Sequence, residues 1–398
     1  MTTNYQDQIV KTLDKFADGV EGLKSRLENL ESLQDRPRHG ASDGGLAAPY
    51  KTFHVNGEKR FMLPHNVKTA DVQELAPAKR PEIELHRWLH AAVLGESCKD
   101  REAVEFAREK KALTTATSGI LIPTEYQSQW IDAVRAQMVL NRAGMQTVVM
   151  AEKSYTASAI TANPTASWHA EAGAITASNA TFAARTLTAK TVVIRSQASM
   201  ELAADSPDFG MQLQNVLTRS IAAEIDRVGL LGAGGNDPHG IYATSGITTT
   251  AGVGIPTNYS HITSALKTLM QNGVPLEVAS KFAIMSPRSW LTYENLTTGI
   301  ASDKTPLVRP PSLQNMEFLV TSNVSNALVD GSSPQAGSAI FLGDFRDLAM
   351  GIRQQASIEV VKADSYSGNL VLDFIAYARC DFALLRPASF VVLDAVRA

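Results

Sequence analysis

The chain has 398 residues, 44% of them hydrophobic, and a formal net charge of −3 at pH 7. This length predicts two or three domains. The near-neutral charge argues against tight nucleic-acid binding, which usually requires a strong basic excess. No apolar run approaches the roughly 20 residues of a membrane-spanning helix. The charged N-terminus lacks the apolar centre of a signal peptide, which favours a protein that stays in the cell that makes it. The two cysteines are far apart in sequence and predict neither a disulfide framework nor a metal site.

Charge is concentrated in the front of the chain. Of the 37 Lys and Arg residues and the 40 Asp and Glu residues, 18 of each group lie within residues 1–111. The change in composition predicts a domain boundary near Lys110 and Lys111. Seven apolar residues in the front recur in steps of three and four, which predicts a helix that forms a coiled coil or packs on its own chain. These residues are Ile9, Leu13, Phe16, Val20, Leu23, Leu27 and Leu30.

Three further segments are predicted before residue 111. Residues 37–49 (PRHGASDGGLAAP) are typical of a flexible linker. Asn56 and Gly57 between two β-prone runs predict a hairpin. Residues 81–113 predict a charged helical region that breaks near Gly95. Two histidines one helical turn apart in this region lack a third ligand, so no metal site is predicted.

The middle of the chain predicts an uncharged arm, a helix capped by Thr124 and a long β-hairpin at residues 148–195. The centre of this hairpin, TANPTASWHAEAGAITASN, is too polar to form a core of its own. An isolated hairpin is marginally stable in water. This hairpin is therefore expected to lie on another surface, such as that of a neighbouring subunit.

A long amphipathic helix is predicted within residues 206–240, with Ser206 as its N-cap and Gly232 as its stop. Six apolar residues form one stripe along it: Phe209, Leu213, Leu217, Ile221, Ile225 and Val228. Later segments alternate between helices and strands, including two strands at 348–352 and 357–362. The predicted fold class is α+β with mixed sheets.

Motifs that carry chemistry are scarce. GAGG at 232–235 follows a helix and lacks both G-x-G-x-x-G and a Walker lysine, so it predicts a turn, and no G-x-S-x-G occurs. Glu224 and Asp226 are expected to be solvated or paired at an interface rather than to form an acid–base couple. The residues alone thus predict an assembling α+β protein with no catalytic residues, no cofactor and no metal ligands.

Seven short motifs follow one another over the last seven-tenths of the chain. They are SGILIPTEYQSQWIDAVRAQMVLNRAG, ASWHAEAGAITASN with the strand after it, S-x-E-L-x-x-D-S at 199–206, G-x-G with P-x-G-I at 232–241, MSPRSWLTYENL, GDF at 343–345 and ARCDFALLRPASF at 378–390. In this order they resemble the major capsid proteins of tailed bacteriophages, which have the Hong Kong ninety-seven type of capsid fold.

The resemblance implies a division of the chain into five parts. Residues 1–111 would be a helical, scaffolding-like segment with a linker, residues 112–147 the N-terminal arm and residues 148–195 the extended loop. A peripheral domain, with the long helix as its spine, would comprise 196–255 and 353–386, and an axial domain 256–352 and 387–398. A phage protease is expected to remove the first segment at Lys110, Lys111, Ala112, Leu113, Thr114 or Thr115.

The implied function is that of a virion shell protein. The chain would self-assemble in the host cytoplasm into hexamers and pentamers of an icosahedral capsid around double-stranded DNA, with a portal protein, a maturation protease and decoration proteins as partners. Contacts between subunits are expected at Lys153, Trp168, Glu171, Lys190, Arg195, Glu201 and Arg353. Some relatives crosslink a loop lysine to an asparagine, but no lysine lies between Ser154 and Ala189, so no crosslink is expected.

Two alternatives remain at this point. An encapsulin-type nanocompartment shares the fold and encloses protein cargo, although the long front segment and the order of the motifs favour a phage capsid. An enzyme with a coiled-coil oligomeriser would need convergent polar groups that the sequence does not contain. DNA inside purified particles, as opposed to a co-purified enzyme, would distinguish the first two.

Overall fold

The computed structural model describes residues 51–55, 58–68, 83–111, 119–121, 124–150, 152–162, 179, 181–206, 208–298, 305–330, 333–361 and 370–397. The predicted coiled-coil helix, the linker at 37–49 and the turn at Asn56 and Gly57 lie outside these residues. Tyr50–Ala398 forms one compact unit. Residues on both sides of the composition change at residue 111 therefore belong to the same folded body.

The larger sheet has seven strands in the order β1-β2-β4-β13-β14-β7, and β3 pairs with β13. Its strands are β1 Lys51–Val55, β2 Glu58–Leu63, β3 Gly119–Leu121, β4 Gln146–Met150, β7 Lys190–Ser199, β13 Leu348–Val361 and β14 Val371–Leu384. The sequence pattern predicted two strands where β13 is a single one. A register shift between Arg353 and Ser357 explains the interrupted pattern, because a bulge disturbs the alternation of side chains.

The smaller sheet has six strands in the order β10-β9-β12-β15-β8, with β11 paired to β12. Its strands are β8 Thr248–Thr250, β9 Phe282–Met285, β10 Glu317–Val320, β11 Leu328–Asp330, β12 Ser333–Gly343 and β15 Phe390–Val396. The strands β9 and β10 are parallel, whereas β12 and β15 are antiparallel. The sheet is therefore mixed, as predicted. Two further strands, β5 Ser154–Ala162 and β6 Thr181–Thr188, form a separate two-stranded sheet.

The described helices surround these sheets. They are α1 Leu85–Leu94, α2 Arg101–Lys111, α3 Thr124–Gln137, α4 Val139–Arg142, α5 Met200–Asp205, α6 Phe209–Leu231, α7 Ser260–Gln271, α8 Leu276–Ala279 and α9 Pro287–Glu294. A 3-10 turn at Gly95–Ser97 separates α1 from α2, which confirms the predicted break. None of them is long and apolar enough to cross a membrane.

The long amphipathic helix is α6, and all six residues of its predicted stripe are buried. The prediction of its N-cap was wrong, since α6 begins at Phe209 and Ser206 ends the preceding helix. That preceding helix, α5, has its own cap, because the Ser199 hydroxyl accepts a hydrogen bond from the Leu202 amide at 3.2 Å. Ser206 therefore lies between the helices α5 and α6 and does not start α6.

Gly232 ends α6 as predicted, but the reason is a close backbone approach. A Cβ at Gly232 would lie only 2.3 Å from the Pro238 carbonyl oxygen. The next glycines, Gly234 and Gly235, have φ angles of 88° and 78°, a region that favours glycine. The GAGG segment is thus a tight turn that returns the chain against the end of α6.

Two cores hold the unit together. The larger one lies between the seven-stranded sheet and the helices α1, α3 and α6, and the smaller one lies between the six-stranded sheet and α7. Cys98 and Cys380 are free thiols within the larger core. Phe341 and Phe390, which the sequence assigned to an axial domain, also pack in the larger core. The division into arm, loop, peripheral and axial parts stays a prediction.

Candidate assembly interface

The two-stranded sheet is a long hairpin that lies between β4 and β7 in the chain. Its arms pair from Ser154 opposite Thr188 to Ala162 opposite Thr181. The residues in the arms are mostly small, and the described side chains near the base are largely exposed. Since so little apolar surface is available, the hairpin has no core of its own. Its predicted tip, with Trp168 and Glu171, lies outside the described residues.

A small anchor fixes the base of the hairpin to the subunit. Leu187 is 0% exposed and packs with Met150 and Ala383. The Thr188 amide donates a hydrogen bond to the Asp381 carboxylate at 2.6 Å. Burial raises the pKa of Asp381, while the amides that it accepts from counteract this effect. Within the described part of the hairpin, Leu187 is the fully buried side chain, so the contact with its own subunit is narrow.

The strand that follows the hairpin forms one edge of the larger sheet. On β7, exposed and half-buried residues alternate along the strand. The half-buried side chains of Val192, Ile194 and Ala198 pack against the larger core, whereas Val193 on the opposite face is 61% exposed. Backbone groups on the free side of an edge strand are open to pairing with another chain. The hairpin and this edge therefore form a continuous surface that is suited to contacts between subunits.

Arg195, one of the predicted contact residues, has a partner in its own chain. Its guanidinium lies 2.7 Å from the Asp373 carboxylate on β14, which also accepts a hydrogen bond from the Gln197 side chain at 2.7 Å. These two donors, Arg195 first, hold the pKa of Asp373 below its usual range. The pair braces β7 against β14.

Lys190 likewise makes contacts within the chain. Its ammonium group donates to the carbonyl oxygens of Gly235 at 2.7 Å and Asp237 at 2.5 Å, which fastens the GAGG turn to the start of β7. A cavity of about 300 Å³ lies beside this contact, lined by Glu224 and Cys380 among others. Burial raises the pKa of the Cys380 thiol to about 12, so this thiol stays protonated at neutral pH.

The remaining predicted contact residues differ in exposure. Lys153 and Glu201 are exposed, and Arg353 is half-buried. Lys110 and Lys111 end α2, and Ala112–Thr115 lies outside the described residues. Among the described residues, no group of three or more His, Cys, Asp or Glu side chains could hold a metal ion.

Asp226 is a buried residue whose role the sequence did not reveal. It is 1% exposed, and its carboxylate accepts hydrogen bonds from the amides of Val139 at 2.7 Å and Leu140 at 3.2 Å. Burial raises its pKa to about 7. The expectation of a solvated or interfacial carboxylate was wrong for Asp226, which instead fixes the turn between α3 and α4. Glu224 is partly exposed and pairs with Arg227 at 2.6 Å.

Comparisons with known proteins bear on what this surface is for. A profile of the phage capsid family matches residues 118–395. A structure of Mycobacterium phage Bobi is 17% identical over 66% of this chain and 91% of that chain, with a TM-score of 0.50. The capsid of a native GTA particle is 16% identical over 71% and 95%, with a TM-score of 0.49, and Microbacterium phage Oxtober96 is 15% identical over 64% and 90%, also at 0.49. No curated protein matches.

Because the family profile matches well over half of the chain, this protein belongs to the phage capsid family. Its α+β architecture is the Hong Kong ninety-seven type of capsid fold. It is a phage capsid protein, which confirms the family predicted from the order of its motifs. These matches do not support the nanocompartment or the enzyme alternative.

Proposed function

We propose that this chain self-assembles into hexamers and pentamers of an icosahedral head shell that encloses double-stranded DNA. The observation that supports this most directly is the hairpin β5–β6, in which Leu187 is the fully buried side chain among those that the structure describes. A hairpin of this kind gains stability when a second surface covers it. In a shell, that surface belongs to the adjacent copy of the chain.

The subunit supplies a rigid base for such contacts. The long strands β13 and β14 run side by side over 11 paired positions, and α6 packs on their inner face through the larger core. The Lys190 and Arg195 contacts then fix β7, from which the hairpin emerges. These two residues act within the subunit and position the surface that neighbours meet.

Charged residues at the margin of this surface set the register between copies. We assign this role to Lys153, Glu201, Arg353 and, in the hairpin tip, Glu171, with Trp168 as an apolar contact. Exposed ion pairs contribute only about 0–1 kcal/mol each. They therefore determine which arrangement of subunits forms more than how tightly it forms.

The proposal includes the other components of a phage head. A portal protein and a packaging motor admit the DNA, which is consistent with a chain whose net charge is −3 and which would contact DNA weakly and without sequence preference. A maturation protease and decoration proteins complete the set of partners. Assembly takes place in the bacterial cytoplasm, and the shell contains no lysine–asparagine crosslink in the hairpin.

The test is expression of the full chain alone, followed by negative-stain electron microscopy and a denaturing gel. Closed shells tens of nanometres across, built from a single band without covalent multimers, are expected. A matched variant replaces residues 157–183 with a short Gly-Ser link and should fold but form no shells. A monodisperse monomer of the unaltered chain at high concentration would refute the proposal, and nuclease-protected DNA in phage-derived particles would distinguish a genome from protein cargo.

A further inference from the structure

Residues 50–111 differ most from the rest of the chain in composition, yet they are built into the larger sheet and, through the first helix, into the larger core. Strand β2 pairs with β4 through Met62 opposite Val148 and Leu63 opposite Thr147. The hairpin β1–β2 thus adds two strands to the seven-stranded sheet, and Leu63 is completely buried. Without this hairpin, β4 would be an uncovered edge strand, which is a liability for aggregation.

Helix α1 contributes large side chains to the same core. Trp88 is 1% exposed and Leu89 is 0% exposed. The Trp88 ring lies 6.1 Å from the ring of Tyr126 on α3, and the Tyr126 hydroxyl donates a hydrogen bond to the Ile83 carbonyl at 2.6 Å. Side chains buried this completely belong to the interior of the subunit and not to a detachable cover.

The approach of α1 to α6 is a backbone contact. A Cβ at Gly210 on α6 would lie 2.4 Å from the His86 carbonyl oxygen and 3.3 Å from the His90 Cβ. The His90 ring also lies 3.3 Å from the Ala203 carbonyl. Two helices meet this closely only where one of them lacks a side chain, so the sequences of α1 and α6 are matched to each other.

A buried arginine ties α3 to the loop after β2. Arg135 is 3% exposed, and its guanidinium donates hydrogen bonds to the carbonyl oxygens of Pro64 at 3.2 Å and Val67 at 3.1 Å. Its carboxylate partner is Asp132 at 3.3 Å. Departure of residues 50–111 would remove both carbonyl acceptors, and a polar group that loses its partners in a buried site is costly.

We infer that residues 50–111 are a permanent part of the folded subunit, so that a cut that removes any leader falls ahead of Tyr50. Hydrolysis of a peptide bond between Lys110 and Thr115, in which water supplies the new carboxylate and amine, breaks none of the contacts above. A protease that cuts there would leave residues 50–111 bound, whereas a cut ahead of Tyr50 would leave the compact unit Tyr50–Ala398 uncut. Retention of a fragment does not require a shell, so this inference and the proposed function can fail separately.

The test uses two full-length chains, each with one inserted recognition sequence for a site-specific protease. In the first the insertion follows Ala112, and in the second it precedes Tyr50. After cleavage, native size-exclusion chromatography with intact-mass detection reads which fragments stay together. The front fragment of the first chain should co-elute with the remainder and separate only in denaturant. The remainder of the second chain, Tyr50–Ala398, should stay folded and unfold in one cooperative transition.

Each contrary result overturns the inference. Release of the front fragment from the first chain without denaturant would show that residues 50–111 are not permanently held. Loss of cooperative unfolding in the second remainder would show that Tyr50–Ala398 is not a folded unit by itself.

Gly210→Ala gives a second reading whose sign is informative. Alanine has a higher helix propensity than glycine, so an undocked α6 should not lose Tm from this substitution in its first turn. With α1 docked, the new Cβ collides with the His86 carbonyl, and the Tm should fall and the cleaved front fragment should dissociate more readily. Gln212→Ala, at an exposed position on the same helix, is the control. A higher Tm for Gly210→Ala would contradict the docking of α1.

Discussion

Residues 50–111, the front segment, and the hairpin β5–β6 are both polar in sequence and both adjoin the larger sheet. They are held to the subunit in different ways. The front segment buries Trp88 and Leu89 in the larger core. The hairpin is held by the small cluster around Leu187. The front segment is therefore held within one chain, whereas the hairpin, on the proposed function, is covered by a neighbouring copy.

This difference separates folding from assembly within one sequence. Contacts that must exist before the shell forms are apolar and fully enclosed, as at Trp88. The contacts that we propose between copies involve exposed residues, such as Ser154 and Thr156 near the base of the hairpin. A subunit that hid the hairpin on itself would lose the surface with which it assembles.

The largest expected effect is on the front segment. Trp88→Ala should lower the free energy of unfolding by about 3–5 kcal/mol, since it leaves a large cavity beside Tyr126. Urea denaturation followed by far-UV circular dichroism measures this change. Glu105→Ala, at an exposed position on α2, should stay within about 0.5 kcal/mol. Equal effects of the two substitutions would mean that the front segment is not part of the core.

Asp226 adds a pH dependence to the enclosed part of the molecule. Its pKa is about 7 in the folded chain and about 3.9 when unfolded, so the folded state retains a proton that the unfolded state loses. The stabilising contribution is full below pH ~4 and is lost as the pH rises through ~7, with a slope of at most about 1.4 kcal/mol per pH unit. Asp226→Asn should flatten denaturation midpoints measured over this window. Asp205→Asn, an exposed control, should leave the slope unchanged, and an unchanged slope in Asp226→Asn would refute the assignment.

The hairpin anchor should show a smaller cost for the subunit and a larger one for assembly. Leu187→Ala is expected to lower the free energy of unfolding by about 2 kcal/mol, at the low end for such substitutions, because the cluster is small. Hydrogen exchange should accelerate in β5 and β6 but not in β13. Shell yield should fall as well, whereas Ser154→Ala, exposed at the same base, should preserve both. Faster exchange throughout β13 would mean that the hairpin is integral to the sheet.

The smallest effect is expected at Arg195. The pKa of Asp373 is held low in the folded chain, so its contribution is present above the unfolded pKa and is lost as the pH falls through the folded pKa. Arg195→Gln should raise the pKa of Asp373 and reduce the loss of stability below pH ~4. Denaturation midpoints between pH 5 and pH 3 would measure this loss of stability. Arg219→Gln, at an exposed position, is the control. An unaltered acid limb would show that Gln197 alone suffices to hold Asp373.

The sequence predicted those parts of the fold that depend on a local period. The stripe from Phe209 to Val228 needed only helical spacing, and every member is buried. The family resemblance came from short motifs at tight turns and caps, such as the glycines after α6. At these places a few adjacent residues determine the backbone.

The parts that the sequence did not predict depend on partners far along the chain. Arg135 is bonded to carbonyl oxygens 68 and 71 residues away, and backbone carbonyls carry no sequence signal. Asp226 occupies the buried side of α6 to hold amides 87 and 86 residues before it. Averaged composition likewise concealed Trp88 and Leu89 among charged neighbours. Position on a helix face was the one available signal for Asp226, which lies four residues after the buried Ala222.

The topology of the larger sheet also has a consequence for biosynthesis. Its central strands, β13 and β14, lie near the end of the chain, while β4, which pairs in parallel with β13, ends at Met150. At about 5–20 residues per second, a ribosome needs roughly 10–40 s to translate the roughly 200 residues between β4 and β13. The sheet cannot form completely until β13 and β14 have been translated. A nascent or truncated chain therefore lacks the strands that support β7 and the hairpin. The order of the strands thus delays completion of the sheet until β13 and β14 are made. Incomplete subunits are thereby kept out of a growing shell.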